Sequence, residues 1–237
     1  MLKKIFLFVG LISPFMACES GVDKTKIAYL EKEEFLKNAF KDRGWGWNFR
    51  IFFRAFKAEK ELEVWIFQGN KFELFKKYPI CKISGDLGRK LKEGDKQVPE
   101  GIYRINRFNP KSSYYLSLGL DYPNETDRIV ADTEHPGGDI FIHGDCVSVG
   151  CMAMTDDKIK EIYLLANEAR KNGQSDMMVH VFPFRMTDEN LAKYGRNYPQ
   201  WIPFWQSLKK HYDIFEQNKM YVSALPDAMG NYKFRGE

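Results

Sequence analysis

Between Leu62 and Leu120 the chain reads as one short strand after another, with little room for a helix. Leu62-Glu-Val-Trp-Ile-Phe67 and Phe72-Glu-Leu-Phe-Lys-Lys-Tyr-Pro-Ile-Cys-Lys-Ile83 flank Gln-Gly-Asn, a hairpin-turn signal. A polar, glycine-containing loop over 85–94 leads into Val98-Pro-Glu-Gly-Ile-Tyr-Arg-Ile105, and Tyr114-Tyr-Leu-Ser-Leu-Gly-Leu120 alternates again. Short strands divided by turns predict an antiparallel or mixed β-sandwich, a mainly β architecture with attached helices (α+β). At 237 residues, 44% hydrophobic and 15% aromatic, the chain can bury one sizeable core.

The flanks are more helical. Ile27 to Lys41 carries apolar residues among charges and stops at Gly44-Trp-Gly, which predicts a surface helix. Trp45, Trp47, Phe49, Ile51 and Phe53 then alternate as a first strand. Thr155 is a good N-cap, Asp156 and Asp157 suit the positive end of a helix dipole, and Ile159, Ile162, Tyr163, Ala166 and Ala169 share one face before Asn172-Gly173. Met177 to Phe182 reads as a closing strand. Over 188–237, Trp201, Phe204, Trp205, Leu208, Tyr212 and Phe215 predict an aromatic-rich helical appendage, with packing on the sheet preferred over shaping a substrate groove.

Residues 1–18 read as a signal peptide: two lysines, an uncharged apolar run from Ile5 to Ile12, then Ala17-Cys18. The run is too short to span a bilayer. Cys18 resembles a lipoprotein cleavage site, so the expected location is exported, in the periplasm or cell envelope, either lipid-anchored at Cys18 or, if the cysteine is incidental to a plain signal peptide, unanchored, with a linker at 19–26. The formal charge is +4, and removing Lys3 and Lys4 from 36 basic and 32 acidic residues leaves +2, too balanced to argue for nucleic acid. Outside Cys18 there remain Cys81, Cys146 and Cys151, an odd number in an oxidising compartment. One pair can close as a disulfide, and Cys81–Cys146 is the pairing that spares Cys151. The preferred expectation is that Cys81 simply packs in an apolar strand.

The chemistry concentrates in Asp139-Ile-Phe-Ile-His-Gly-Asp-Cys-Val-Ser-Val-Gly-Cys-Met-Ala-Met-Thr155, a short apolar strand running into a glycine-rich turn and then a helix start. A cysteine thiol is mostly protonated at neutral pH, and an imidazole is the usual device for drawing off its proton so that sulfur can attack a carbonyl. His143 stands eight positions before Cys151 across a turn, so the two side chains meet if the chain doubles back.

His143-Gly, Ser148-x-Gly-Cys151 and Ala153-Met-Thr-Asp156 together resemble the active-site signature of the L,D-transpeptidase catalytic domain (YkuD) family, in its murein L,D-transpeptidase-like branch. The resemblance extends over roughly 60–190, through Tyr78-Pro-Ile-Cys, Ser84-Gly-Asp-Leu-Gly, Glu93 to Tyr103, Tyr122-Pro-Asn, Asp127-Arg128 and Phe182-Pro-Phe-Arg-Met-Thr187. It implies a β-sandwich catalytic domain over 61–187, preceded by a helix and first strand within 19–60. The implied activity is acyl transfer on peptidoglycan stem peptides through a thioester, serving cell-wall organisation and cell shape without a cofactor.

By the same resemblance Cys151 is the nucleophile, His143 the base, and the Gly144 carbonyl the group that orients the imidazole. The Gly150 and Cys151 amides are the expected oxyanion donors, Gly150 being small so that a carbonyl can approach. Ser148, Arg128 and Arg185 are the expected substrate-binding residues, the arginines for stem-peptide carboxylates. The chain departs from many relatives at Val149, where a histidine is usual, and at Ala153, where an arginine is usual. The second departure opens the alternative of an amidase that cleaves peptidoglycan or detaches envelope proteins from it. An envelope lipoprotein is accordingly an expected acceptor or substrate. A non-catalytic peptidoglycan-binding lipoprotein is a further reading, against which both Cys151 and His143 stand. A zinc site built from His135, His143, Cys146 and Cys151 lacks any Cys-x-x-Cys pair or familiar spacing.

Overall fold

The computed structural model describes residues 23–235, so the signal peptide and Cys18 lie outside the described residues. In chain order the elements are α1 (Lys24–Lys41), β1 (Ile51–Phe56), β2 (Glu61–Gln68), β3 (Lys71–Pro79), β4 (Lys82–Ile83), β5 (Gly101–Asn109), β6 (Ser117–Leu120), α2 (Glu125–Val130), β7 (Phe141–His143), β8 (Met152–Ala153), α3 (Asp156–Lys171), β9 (Met178–Phe182), α4 (Asp188–Gly195), α5 (Ile202–Asn218), β10 (Ala224–Pro226) and β11 (Tyr232–Phe234). Nine strands form one curled mixed sheet in the order β3-β2-β1-β9-β5-β6-β7-β8-β4, and β10 and β11 form a separate hairpin. The fold is thus mainly β with flanking helices, as the strand density predicts.

β5 is the strand on which the sheet turns: its first half pairs with β9 and its second half with β6. The half built from β3, β2, β1, β9 and β5 is covered on both faces. Along β1, Ile51, Phe53 and Ala55 point into a core shared with α3, Leu36 and Phe40 of α1, and the inner faces of β6 and β7. Phe52 and Phe56 point the other way, onto Trp205, Leu208 and Phe215 of α5. A one-residue slip of β1 would exchange those two faces, so its register is tightly specified. The expected C-terminal appendage therefore supplies the second cover of the sheet, with Trp205 fully buried.

Several local expectations need correction. The first strand begins at Ile51, because Trp45, Trp47 and Phe49 turn back onto Phe40, with ring centroids 4.8 to 5.6 Å from it. The segment expected as linker already enters α1 at Lys24, where the Asp23 carboxylate accepts from Lys26 N at 3.1 Å. β3 ends at Pro79, and the chain then crosses to the far edge, where β4 pairs antiparallel with β8. Cys81 is consequently exposed at that crossing and forms a disulfide with Cys146, their Cα atoms 5.5 Å apart. The expectation of a simply packed Cys81 is overturned. The strand expected from Met177 is present as β9, lying between β1 and β5 and running parallel to β1.

A buried ion pair fixes the sheet to the loop before β5 and to α5. Lys57 Nζ donates to Glu100 Oε1 at 2.9 Å and to the Gly88 and Val98 carbonyls, while Glu100 accepts from Gly88 N and from Trp205 Nε1 at 2.8 Å. Partners on every side make such a pair tolerable in a site that excludes water.

Candidate active site

β7 and β8 are neighbouring parallel strands with Ile142 opposite Met152 and His143 opposite Ala153. Cys151 immediately precedes β8, so strand alternation puts it on the same face of the sheet as His143. Both line one cavity of about 400 Å³, with Asn109, Ser112, Ser113 and Tyr114 from the β5–β6 connection forming much of the opposite wall.

Nδ1 of His143 lies 2.5 Å from the Gly144 carbonyl oxygen. A carbonyl only accepts, so Nδ1 carries the ring proton and Nε2 is left with its lone pair. Gly144 is glycine for a packing reason, since a Cβ there would sit 2.6 Å from Asp156 Oδ1 and 2.9 Å from Tyr115 Cβ. Asp156, at the start of α3, also accepts from Asp145 N at 2.8 Å, and Thr155 caps the helix through Lys158 N. The Asp145–Asp156 contact ties the start of α3 to the turn that follows His143. Tyr114 stacks on the imidazole with centroids 4.8 Å apart.

Burial pushes the His143 imidazole below its ordinary value, against the opposing pull of the Gly144 carbonyl and Asp145. The Cys151 thiol is pushed up, chiefly by burial, with the Phe141 amide and Lys90 working in the other direction. Its Sγ donates to the Asp139 carbonyl at 3.5 Å. At neutral pH the cavity therefore holds a neutral thiol and a neutral imidazole rather than a preformed ion pair.

The turn between the two residues is held by hydroxyls. Gly150 N donates to Ser84 Oγ at 2.6 Å, Cys151 N to Ser148 Oγ at 3.2 Å, and Ser148 Oγ donates to the Cys151 carbonyl at 2.7 Å. Ser84 Oγ in turn lies 2.9 Å from the Lys96 carbonyl and 3.3 Å from Ser148 Oγ. Both amides expected to meet an oxyanion are thus engaged by serine hydroxyls. Glycine at 150 also has a backbone reason: its φ is +94°, a region that side chains strain to adopt. Ser84 and Cys81 lie three residues apart, so one short segment grips the turn twice, through the Gly150 amide and through the disulfide to Cys146.

The two arginines expected to bind carboxylates are elsewhere. Arg185 donates to Glu63 at 3.0 Å, pairs with Glu61 and stacks over Phe56, on the β2 side of the sheet. Arg128 lies on α2 and lines a different cavity. Among the described residues no lysine or arginine lines the Cys151 cavity itself, whose polar surface is largely hydroxyl and amide. The guanidinium at its border is Arg107, 2.8 Å from Asp139 and 4.7 Å from the centre of the Phe141 ring. Ser84 lay within a segment that carries the family resemblance. Arg107 lies on β5 and carries no motif, and Tyr114 reads only as the start of an alternating strand.

Cys146 is engaged in its disulfide, and among the described residues no three His, Cys, Asp or Glu side chains are grouped to hold a metal ion. No helix of the described residues is long and apolar enough to cross a membrane.

A mixed curled sheet that brings a thiol and an imidazole into one cavity narrows the comparison to proteins of one class. The L,D-transpeptidase catalytic domain profile (YkuD) matches residues 57–181. "Putative L,D-transpeptidase YafK" of Escherichia coli (strain K12) is 39% identical over 171 residues, which are 71% of this chain and 68% of that protein. The chain belongs to the L,D-transpeptidase catalytic domain (YkuD) family. Solved structures similar to it include a mutant of the helical cell shape determining protein Pgp2 from Campylobacter jejuni, with TM-score 0.46 and 23% identity over 57% of this chain and 48% of that one. Bdellovibrio bacteriovorus Bd1075 has TM-score 0.41 and 21% identity over 70% of this chain and 60% of that one. This chain spans about half the length of that Pgp2 structure.

Proposed function

We propose that the protein is a cysteine-dependent acyltransferase of peptidoglycan stem peptides, exported and lipid-anchored at Cys18. Cys151 Sγ attacks a peptide carbonyl while His143 Nε2 takes the thiol proton. The C–N bond then breaks, the imidazolium returns its proton to the departing amine, and a thioester remains on Cys151. An incoming amine gives a new cross-link, whereas water gives hydrolysis. The observation that carries this reading is the His143 ring, with Nδ1 tied to the Gly144 carbonyl and Nε2 left basic in the cavity that also holds Cys151.

Transition-state charge on the carbonyl oxygen calls for a donor, and one such donor is worth about 3 kcal/mol in comparable sites. The Cys151 amide, held by the longer of the two serine contacts, is the group an oxyanion can recruit by displacing Ser148 Oγ. For the carboxylate of the stem peptide, Arg107 replaces Arg128 and Arg185 as the candidate.

Hydrolysis, with release of peptide or of an attached envelope lipoprotein, is the second reading. It is favoured by Ala153, fully buried in β8 at a position where many family members carry arginine, and by a cavity that no lysine or arginine lines among the described residues. Incubating the native protein and Cys151→Ala with defined muropeptides, followed by mass spectrometry, tests both. Dimers that depend on Cys151 indicate transpeptidation, and shortened peptides indicate hydrolysis. Unchanged muropeptides in both samples, with no thioester adduct on the native protein, refute the enzymatic assignment.

A further inference from the structure

A second cavity of about 400 Å³ opens on the outer face of the sheet, between the beginning of β5, α2 and the C-terminal segment that leads through β10 to β11. It shares no lining residue with the Cys151 cavity. Arg104 lines the second and Asn109 the first, five residues apart on β5, so the two openings are separated by roughly 17 Å of extended strand. Its size is that of ordinary small-ligand sites, about 300–1,000 Å³.

Polar groups of both signs face this cavity with bonding capacity unspent. The Tyr232 hydroxyl is buried and accepts from Ile102 N at 2.9 Å and from Asn124 Nδ2 at 3.1 Å, yet its own proton has no acceptor among the described residues. Arg128, in the last turn of α2, is exposed and its guanidinium has no ion-pair or hydrogen-bond partner among the described residues. These are two donors suited to a carboxylate. On the acidic side, Asp121 is half-buried, accepts from Arg104 N at 2.8 Å and has no salt bridge, because the Arg104 guanidinium is taken by Asp176 at 2.6 Å. Burial pushes the Asp121 carboxyl up, against the weaker opposing pull of Arg104. Glu125 is exposed on the first turn of α2 and likewise has no salt bridge among the described residues.

We propose that this cavity is a second, non-catalytic binding site for a small zwitterion, an amino acid or short peptide with free termini. Arg128 and the Tyr232 hydroxyl receive its carboxylate, and Asp121 and Glu125 receive its ammonium group. The inference is independent of the acyl-transfer reading, since it uses none of the residues around Cys151.

The test is titration of the full-length Cys151→Ala protein with tri-alanine, followed by amide chemical shifts. Saturable shifts are expected at Ile102, Asn124 and Ala224 and not at Ser112 or Phe141. Amidating the C-terminus of the probe, or replacing Arg128 with alanine, is expected to weaken binding about tenfold, and acetylating its N-terminus similarly. Arg128 is exposed, so its removal leaves folding intact, and Cys151 alkylation measured in the Cys151-containing Arg128→Ala protein is expected to match native. No saturable shift up to about 10 mM probe overturns the site. So does saturation confined to the Cys151 cavity, or binding indifferent to both Arg128→Ala and the blocked termini.

Discussion

The ring of His143 is oriented by the carbonyl of the very next residue, Gly144, 2.5 Å from Nδ1. No acidic side chain is spent on this task, and the device works only if residue 144 stays in place. The contacts that a Cβ at 144 would make with Asp156 and Tyr115 explain why α3 and the Tyr114-Tyr115 connection close around it. Orientation of the base is therefore a property of how the turn packs.

Because burial holds His143 below 6.5 and Cys151 above 9.0, the pair stays neutral on both sides of neutrality. The kcat/KM on muropeptides is expected to remain flat as pH falls through 6.5, losing activity only further down. Alkylation of Cys151 by iodoacetamide, which requires thiolate, is expected to climb only above about pH 9. An alkylation plateau already reached by about pH 7 would mean a thiolate–imidazolium pair and would contradict the neutral assignment. Stability responds at both ends: the unfolded chain binds His143's proton first as pH falls and releases Cys151's proton first as pH rises, so each shift destabilises the fold beyond its ordinary value.

Ser84 grips the turn before Cys151 from outside it, through the Gly150 amide and beside Ser148. Ser84→Ala leaves the Gly150 amide without its 2.6 Å acceptor and is expected to lower kcat about tenfold with KM nearly unchanged. The alkylation rate of Cys151 should shift at the same time. A fall in thermal stability with kcat unaltered would reduce Ser84 to a purely structural role.

Arg107 and Asp139 form a pair whose side chains are 50% and 79% exposed, so a ligand carboxylate can replace Asp139 at small cost. Arg107→Ala is expected to raise KM about tenfold, and Asp139→Asn to lower it by freeing the guanidinium. If both variants leave KM where it was, the substrate carboxylate is read by some other group.

Much of this was legible in the residues. Strand density announced the sheet, Thr155 and Asp156 announced the helix that seats the turn, and His143 and Cys151 stood out by chemistry and motif. What escaped was long-range. Pro79 ends β3, but nothing local says that Lys82 and Ile83 will then pair with β8 and carry Cys81 to Cys146. Arg185 looks available in sequence, yet Glu61 and Glu63 of β2, two strands away from β9, claim it. Tyr114 alternates like a strand residue, whereas the chain there bends to cover the base, with Tyr115 at φ +69°.

The Cys81–Cys146 disulfide closes a sequence separation of 65 residues, for which chain-entropy arguments give about 4 kcal/mol of stabilisation. Cys81→Ser with Cys146→Ser is expected to lower unfolding free energy by up to that amount in urea, and to cut turnover because Cys146 belongs to the turn that presents Cys151. Cys151 should remain alkylatable in the double variant, as it is a free thiol in the native protein. Unchanged turnover in the double variant would show that Ser84 alone suffices to hold the turn.

His180 sits in the middle of the sheet on β9, fully buried among Phe52, Phe182 and Tyr221, with neither ring nitrogen hydrogen-bonded. Burial holds its imidazole well below 6.5, and the nearby His211 and Arg54 push it the same way. Below pH 6.5 the unfolded chain binds this proton and the folded chain refuses it, so stability falls as pH drops, at about 1.4 kcal/mol per pH unit for this one group. Replacing His180 with leucine removes that proton uptake and substitutes an apolar side chain of similar bulk at a site with no hydrogen bond to lose. Urea titrations of the two proteins should therefore agree more closely near pH 8 than near pH 5, with the leucine variant gaining steadily on the native protein as acid is added. Parallel stability curves across that range would mean that His180 finds a partner for its proton without unfolding.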